Sequence, residues 1–256
     1  MPYFIAFCDR TDGATPRVLV HASHDIALLK LKERLDRRLA IDLRFEGSLN
    51  SLDSLARGDC DIAGFHLPEP ATLLGPLLAE FGARLNPREH YVVCLLSRHQ
   101  GLMTAKNSKR RVRSIADLAR LRLKFVNRER GSGTRLLFDA LLAKDDLGPA
   151  DIVGYDHEEF THLATAATIR AGMADVAFGI EAAARSHGLA FVDLVTEHYY
   201  LACRRSSAAR IAVDAMVATA QSGAFARAIA RIGGYDGASA GVIVHLPDLF
   251  GRRRRS

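Results

Sequence analysis

No two of the four cysteines, Cys8, Cys60, Cys94 and Cys203, form a C-x-x-C pair, and no histidines stand at zinc-ligand spacing. A disulfide framework and a structural zinc site are thereby excluded, and the thiols are expected as small core residues of a reduced compartment. A secretory leader is also missing, because Asp9, Arg10, Asp12 and Pro16 interrupt the first twenty residues, where a signal peptide needs an unbroken apolar stretch. No run approaches the ~18 apolar residues of a membrane span. There is no low-complexity linker and no repeat at solenoid period. These absences point to a cytoplasmic chain with no membrane partner.

What is present suits a globular protein. The chain has 256 residues, 48% of them apolar and 25% charged, enough to build a core without staples and of a length for two lobes of ordinary size. The net charge of +6 overstates the basic character, since four of the positive charges are Arg252 to Arg255. Such a run reads as a solvated tail rather than a phosphate-binding arm.

Short apolar runs alternate with amphipathic stretches of ten or more residues, the pattern of strand-helix units around mainly parallel sheets. Residues 17–22 read as a strand and 26–35 as a helix. A strand over 41–47, a short helix over 52–57 ended by Gly58, and a strand over 61–65 follow. Residues 67–87 read as a loop holding one helical segment, 91–97 as a buried strand, and 101–113 as polar and turn-like. A second series comprises a helix over 114–121, a strand over 123–127, and a helix over 134–144. After it come a helix over 161–173, a strand over 175–180, a helix over 181–187, and a strand over 189–195, with residues 199–203 unassigned. A long helical region spans 208–231 with Gly223 as a break. A glycine-rich loop (233–241) and a last apolar segment (242–250) end the chain.

The strongest local signal is Asn127-Arg-Glu-Arg-Gly-Ser-Gly-Thr-Arg135, between an expected strand and an expected helix. Gly131 and Gly133 allow close backbone approach, and the free N–H groups of a helix start suit an anion. Ser132 and Thr134 offer hydroxyls, while Arg128, Arg130 and Arg135 add charge. The spacing fits neither a Walker loop nor a dinucleotide fingerprint. Ser23 and Ser48 also stand where a strand enters a helix, so three helix starts gather where open α/β sheets bind ligands. His66 and the cluster Glu158-Glu159-Phe160-Thr161-His162 could serve metal or acid-base chemistry, but such groups are usually caps and surface charges. A Glu159 facing the site would oppose a bare dianion and favour a ligand offering hydrogen-bond donors. A Ser-His-Asp hydrolase is not expected, because the G-x-S-x-G elbow is absent.

The set Ala22-Ser-His-Asp25, Gly64-Phe-His66, Phe125-Val-Asn-Arg128 with Gly131-Ser-Gly-Thr-Arg135, Gly154-Tyr155 with Glu159-Phe-Thr-His162, and Phe178-Gly-Ile-Glu-Ala-Ala-Ala-Arg185 resembles the cytoplasmic periplasmic-binding-protein-like domain family. The resemblance spans roughly residues 17–203. Members carry a molybdate-binding label and occur behind helix-turn-helix segments in LysR-like and molybdate-responsive regulators, or attached to molybdopterin-biosynthesis proteins. It implies an α/β, two-lobed type II binding-protein fold, each lobe a mainly parallel sheet flanked by helices, joined by two crossing strands. Lobe I would take residues 1–97 and 199–256, and lobe II residues 98–198.

By the same resemblance Ser23, Ser48, His66, the loop Arg130, Gly131, Ser132, Gly133, Thr134 and Arg135, then Glu159, Thr161, His162, Ile180, Glu181 and Tyr199 would face the interlobe cleft. The implied role is a non-enzymatic sensor without a resident cofactor. Its ligand would be molybdate, tungstate, a related oxyanion or a molybdenum-cofactor species. A regulator's effector domain, acting as a homodimer, is the alternative, and an accessory factor of molybdenum-cofactor or formate dehydrogenase metabolism a remote one. Nothing before residue 17 is long enough for a helix-turn-helix, so contact with nucleic acid is expected only through a separate segment.

Overall fold

The computed structural model describes residues 17–35, 39–205 and 207–250. Cys8 and the Arg252–Arg255 tail lie outside these residues. The chain opens as the apolar pattern requires. Strand β1 (Arg17–Ala22) pairs in parallel with β2 (Ala40–Phe45), and helix α1 (Ile26–Leu35) crosses between them. Ala27, Leu28, Leu31 and Leu35 fall on one helical face and are buried, as three-and-four spacing dictates. Helix α2 (Ser48–Arg57) ends at Gly58, whose left-handed φ of 89° closes the last turn. Strand β3 (Ile62–Glu69) then joins β1 in parallel, and a short 3-10 turn and α3 (Leu77–Ala83) lead to β4 (His90–Thr104).

The second series repeats the scheme. It comprises α4 (Ala116–Arg120), β5 (Phe125–Arg128), α5 (Gly133–Lys144), β6 (Glu158–Glu159), α6 (His162–Arg170), β7 (Val176–Ile180) and α7 (Glu181–Ser186). Both β6 and β7 lie parallel to β5. Strand β8 (Ala190–Arg204) returns, and α8 (Ser207–Ala220), α9 (Gly223–Ala230), β9 (Tyr235–Asp236), β10 (Val242–Val244) and α10 (Leu246–Leu249) complete the described chain.

Strand order is β2-β1-β3-β8-β4-β7-β5-β6, with β9 and β10 also on β4. The antiparallel pair β4 and β8, 15 residues each, binds the two series together. One end of β4 (Val92–Cys94) carries β10, and the other (Gln100–Thr104) carries β7. Their mutual register shifts twice, between Cys94 and Leu96 and between Gln100 and Gly101. Such irregularities bend a strand pair, and these two bracket the segment Leu96–Gln100. The result is a two-lobed α/β fold.

The core follows this division. Phe65, Phe81 and Tyr200 cluster around β3 and α3, while Phe125 stacks on Phe138 at 4.5 Å beside Phe178 around β5, α5 and β7. Each such ring contributes roughly 1.5–3 kcal/mol by leaving water. Cys60, Cys94 and Cys203 are free and buried, and burial pushes the Cys60 thiol up to about 12 and that of Cys94 to about 11, which suppresses thiolate chemistry.

Several sequence-based boundaries shift. Residues 101–104 are not a turn but the end of β4, because β7 and β8 supply hydrogen-bond ladders on both sides. The strand read over 189–195 does not end there but runs on to Arg204 as β8, held by β3 and β4 through its polar middle. Helix α2 begins at Ser48 rather than Leu52. The break in the late helical region is Ser222, which caps α9 by accepting from the Phe225 N–H at 3.2 Å. Among the described residues no helix is long and apolar enough to cross a membrane.

Candidate interlobe binding site

Each strand of the two parallel sets delivers a polar residue at its C-terminal end. On one lobe β1 leads to Ser23, β2 to Gly47 and Ser48, and β3 carries His66. On the other, β5 leads to Gly131, Ser132 and Gly133, β6 to Thr161 and His162, and β7 to Ile180 and Glu181.

The two sets meet. A Cβ placed on Gly47 would stand 2.5 Å from the Gly131 carbonyl oxygen, and one on Gly133 would stand 3.2 Å from Ser48 Oγ and 3.8 Å from His66 Cβ. Glycine at these positions permits backbone-to-backbone approach between the lobes, and Gly131, with φ +82°, also requires the residue for its conformation. Gly179 makes room for Met103, whose Cε would lie 2.9 Å from a Cβ there, with His162 Nδ1 in ordinary contact at 3.7 Å.

Helix starts point into the same region. Ser132 caps α5 by accepting from the Arg135 N–H at 3.3 Å, and Thr161 caps α6 by accepting from Ala164 at 3.0 Å. Helix α2 has Gly47 at its cap position and so lacks a side-chain cap. The remaining first-turn N–H groups have no carbonyl within their own helices.

Beneath them lies a buried polar floor on the crossing strands. Arg98 of β4 donates to Asp25 through Nη1 and to Glu197 of β8 through Nε at 2.8 Å. Gln100 Nε2 donates to Glu197 Oε2 at 2.6 Å, and the Tyr235 hydroxyl donates to Asp25 at 2.8 Å. Asp25 Oδ1 in turn accepts from the Ala27 N–H at 2.7 Å, capping α1. Tyr199 is fully buried, its ring stacked on His66 at 4.1 Å, and Ser23 Oγ lies 3.2 Å from His66 Nδ1.

Four side-chain atoms around this space are buried without a hydrogen-bond partner: Ser48 Oγ, His66 Nε2, Gln100 Oε1 and His162 Nδ1. Buried polar groups are nearly always paired, which makes these four atoms candidates for contact with a ligand. Burial holds both His66 and His162 well below the usual imidazole pKa, reinforced by the positive charges of Arg98 and Arg128. Both are therefore neutral near pH 7. Burial also lowers Arg128 to about 10, and its guanidinium is held by the carbonyls of Glu159 at 3.2 Å and Phe160 at 3.0 Å.

Other residues singled out in the sequence are placed differently. Arg130 is exposed and paired with Asp156 and Glu158 at 3.3 and 3.4 Å. Arg135 is buried but spent on Glu158, Asp139 and the Tyr155 ring. The Glu159 carboxylate accepts from the Thr168 hydroxyl at 2.9 Å, and Glu181 pairs with Arg185 at 2.6 Å. Thr134 and Ile180 are buried at the starts of α5 and α7. Arg98, Gln100 and Glu197 did not stand out in the sequence. Their only local signal is a polar island, Ser97-Arg-His-Gln100, within an apolar strand.

A family model described as PBP superfamily domain matches residues 30–221. YvgK of Bacillus subtilis strain 168 is 33% identical over 189 residues, covering 72% of this chain, which itself spans 60% of that protein's length. Among solved structures, a phosphate ABC transporter substrate-binding protein from Clostridium perfringens with bound phosphate has TM-score 0.64 at 12% identity, covering 86% of this chain and 98% of that one. The effector binding domain of QuiR in complex with shikimate has TM-score 0.57 at 12% identity, covering 79% and 96%. At such identities these two likenesses are of fold alone.

Proposed function

This chain belongs to the PBP superfamily domain family, and from that premise we propose that it is a binding protein, not an enzyme, closing its two lobes on a small anion. The observation that carries the reading is the close approach of Gly47 to the Gly131 carbonyl and of Gly133 to Ser48 and His66, beside orphaned buried polar atoms on both series of strands, Ser48 and His66 on one and Gln100 and His162 on the other. Helix starts supply N–H donors and partial positive charge. Contacts present only in the closed state give the ligand its leverage over the lobes.

The ligand candidates are molybdate, tungstate, a related oxyanion and an anionic molybdenum-cofactor species. The lobes are taken as 1–97 with 199–256 and as 98–198, parting within the segment bracketed by the two register shifts of β4 and β8. Ser23, Ser48, His66, the Gly131–Gly133 backbone, Thr161 and His162 are the proposed contacts, with Arg128 as the lobe II cation in place of Arg130 and Arg135. Cytoplasmic placement belongs to the same proposal.

Thermal-shift titration with molybdate, tungstate, sulfate and phosphate tests it. A ligand that binds only the folded chain raises its stability by about 2.7 kcal/mol at a hundredfold excess over Kd, whereas no shift with any anion sinks the reading. A second reading, effector domain of a transcription regulator working as a dimer, is favoured by the likeness to the QuiR domain and by the greater length of YvgK. Size-exclusion with light scattering, and repression assays on a chain carrying a DNA-binding segment, test that reading.

A further inference from the structure

We infer that the site takes an anion that carries its own hydrogen-bond donor, a hydroxylated or still-protonated acid, in preference to a bare tetrahedral dianion. The inference rests on the anion-binding reading above and names its ligand class. It starts at Gln100, which is fully buried. The Nε2 of this side chain lies 2.6 Å from a carboxylate oxygen of Glu197, and a carboxylate oxygen facing Arg98 and an amide can only accept. The amide orientation is thereby fixed, and Oε1 is left without a partner. An amide oxygen accepts and never donates, so only a donor satisfies it, and the described residues supply none.

The strand register shows which way Gln100 faces. It stands opposite Val195 of β8 and Ile180 of β7, two residues from Arg98, which stands opposite Glu197. Tyr199 follows two residues after Glu197 and stands opposite His66. Directly opposed residues share a sheet face, so Gln100 belongs to the face that carries the Tyr199–His66 stack and ends at the start of α7.

Formal charge agrees. The floor holds one guanidinium, Arg98, against two carboxylates, Asp25 and Glu197, so it does not attract a second negative charge. A further cation, Arg128, is itself beside Glu129 at 3.5 Å. Anion-binding N–H groups lie instead at the helix starts around Gly47–Ser48 and Ser132–Gly133. A ligand with its anionic group at those helix starts and a hydroxyl or N–H on Gln100 Oε1 meets both demands, while a deprotonated tetrahedral dianion leaves the amide oxygen unpaired. Each lobe also bears an exposed aromatic ring next to its site residues, Phe45 beside His24 at 5.0 Å and Phe160 before Thr161, which suits a ligand with a carbon skeleton.

Calorimetric titration of the whole chain at pH 7.5 decides the matter with two sets of probes. Phosphate, which keeps a proton at that pH, and shikimate, a hydroxylated carboxylate, form one set; sulfate and molybdate, which keep none, form the other. The expected result is a preference of at least about tenfold for the first set, since a site built around a buried polar group rejects analogues that leave it unpaired. In Gln100→Met the preference of the first set over the second collapses. Because the wild-type comparison needs no variant, it stands even if Gln100→Met does not fold. Equal or tighter binding of sulfate and molybdate overturns the inference and leaves the anion reading intact, and no binding by either set overturns both.

Discussion

The rings of His66 and Tyr199 lie nearly parallel, their planes 12° apart and centroids 4.1 Å apart, with His66 on β3 and Tyr199 directly opposite it on β8. His66 is among the proposed contacts and Tyr199 lies on β8, which pairs with strands of both series, so in the proposed reading the stack would tie a bound ligand to that strand. Tyr199→Ala removes a fully buried ring and is expected to cost about 3–5 kcal/mol, read by urea unfolding. Tyr199→Phe keeps the stack and loses only a 3.5 Å hydroxyl contact to the Ser23 carbonyl, so it costs under about 1 kcal/mol.

Arg98 holds two buried carboxylates at once. Arg98→Ala leaves Asp25 and Glu197 buried without their cation and is expected to destabilise by about 3–5 kcal/mol. Glu197→Gln, which keeps the shape and removes one charge, costs less. Equal unfolding midpoints for wild type and Arg98→Ala contradict this account of the hinge.

Stability falls in mild acid for a specific reason. Burial holds the folded-state pKa of His66 and His162 well below their ordinary value, so the unfolded chain takes up protons first as pH drops through about 6.5. Their neutral-state stability is therefore complete above that pH and is lost below it, at up to about 1.4 kcal/mol per pH unit per histidine. Urea unfolding at pH 7.5, 6.5 and 5.5 reads the slope, and His66→Gln and His162→Gln each flatten it. Unchanged slopes place the pH dependence elsewhere.

Much of this architecture is legible in the sequence because it is local. The apolar stripe of α1, the Gly58 stop of α2 and the helix starts at Ser132 and Thr161 each follow from residues within one or two turns. The crossing strands are not local. Ser97-Arg-His-Gln100 and Thr196-Glu-His198 look like loops until they are paired with each other, and Arg98 reaches Glu197 across 99 positions. The same distance hid Gln100 and Glu197 from a reading based on motifs. Arg130 and Arg135 show the opposite failure. Both flank the glycine loop in sequence, but one turns outward to Asp156 and Glu158 while the other is neutralised within its own lobe.

Gly47 approaches Gly131 so closely that there is no room for a side chain at position 47. Its φ of −66° suits any residue, so Gly47→Ala leaves each lobe folded, yet the added methyl meets the Gly131 carbonyl at 2.5 Å. The variant is expected to retain its unfolding midpoint, to show a larger radius of gyration by small-angle scattering, and to bind anions at least about tenfold more weakly, a loss near 1.4 kcal/mol.

The central claim is that ligand binds between the lobes against His66 and His162. An imidazole nitrogen NMR titration tests it most directly, because His90 and His245 line a separate groove of about 470 Å³ beside Arg205 and Arg210 and serve as internal controls. Saturable shifts at His66 and His162 on addition of phosphate or shikimate, with His90 and His245 unmoved, are the predicted result. Shifts confined to His90 and His245, with the cleft pair silent, contradict it.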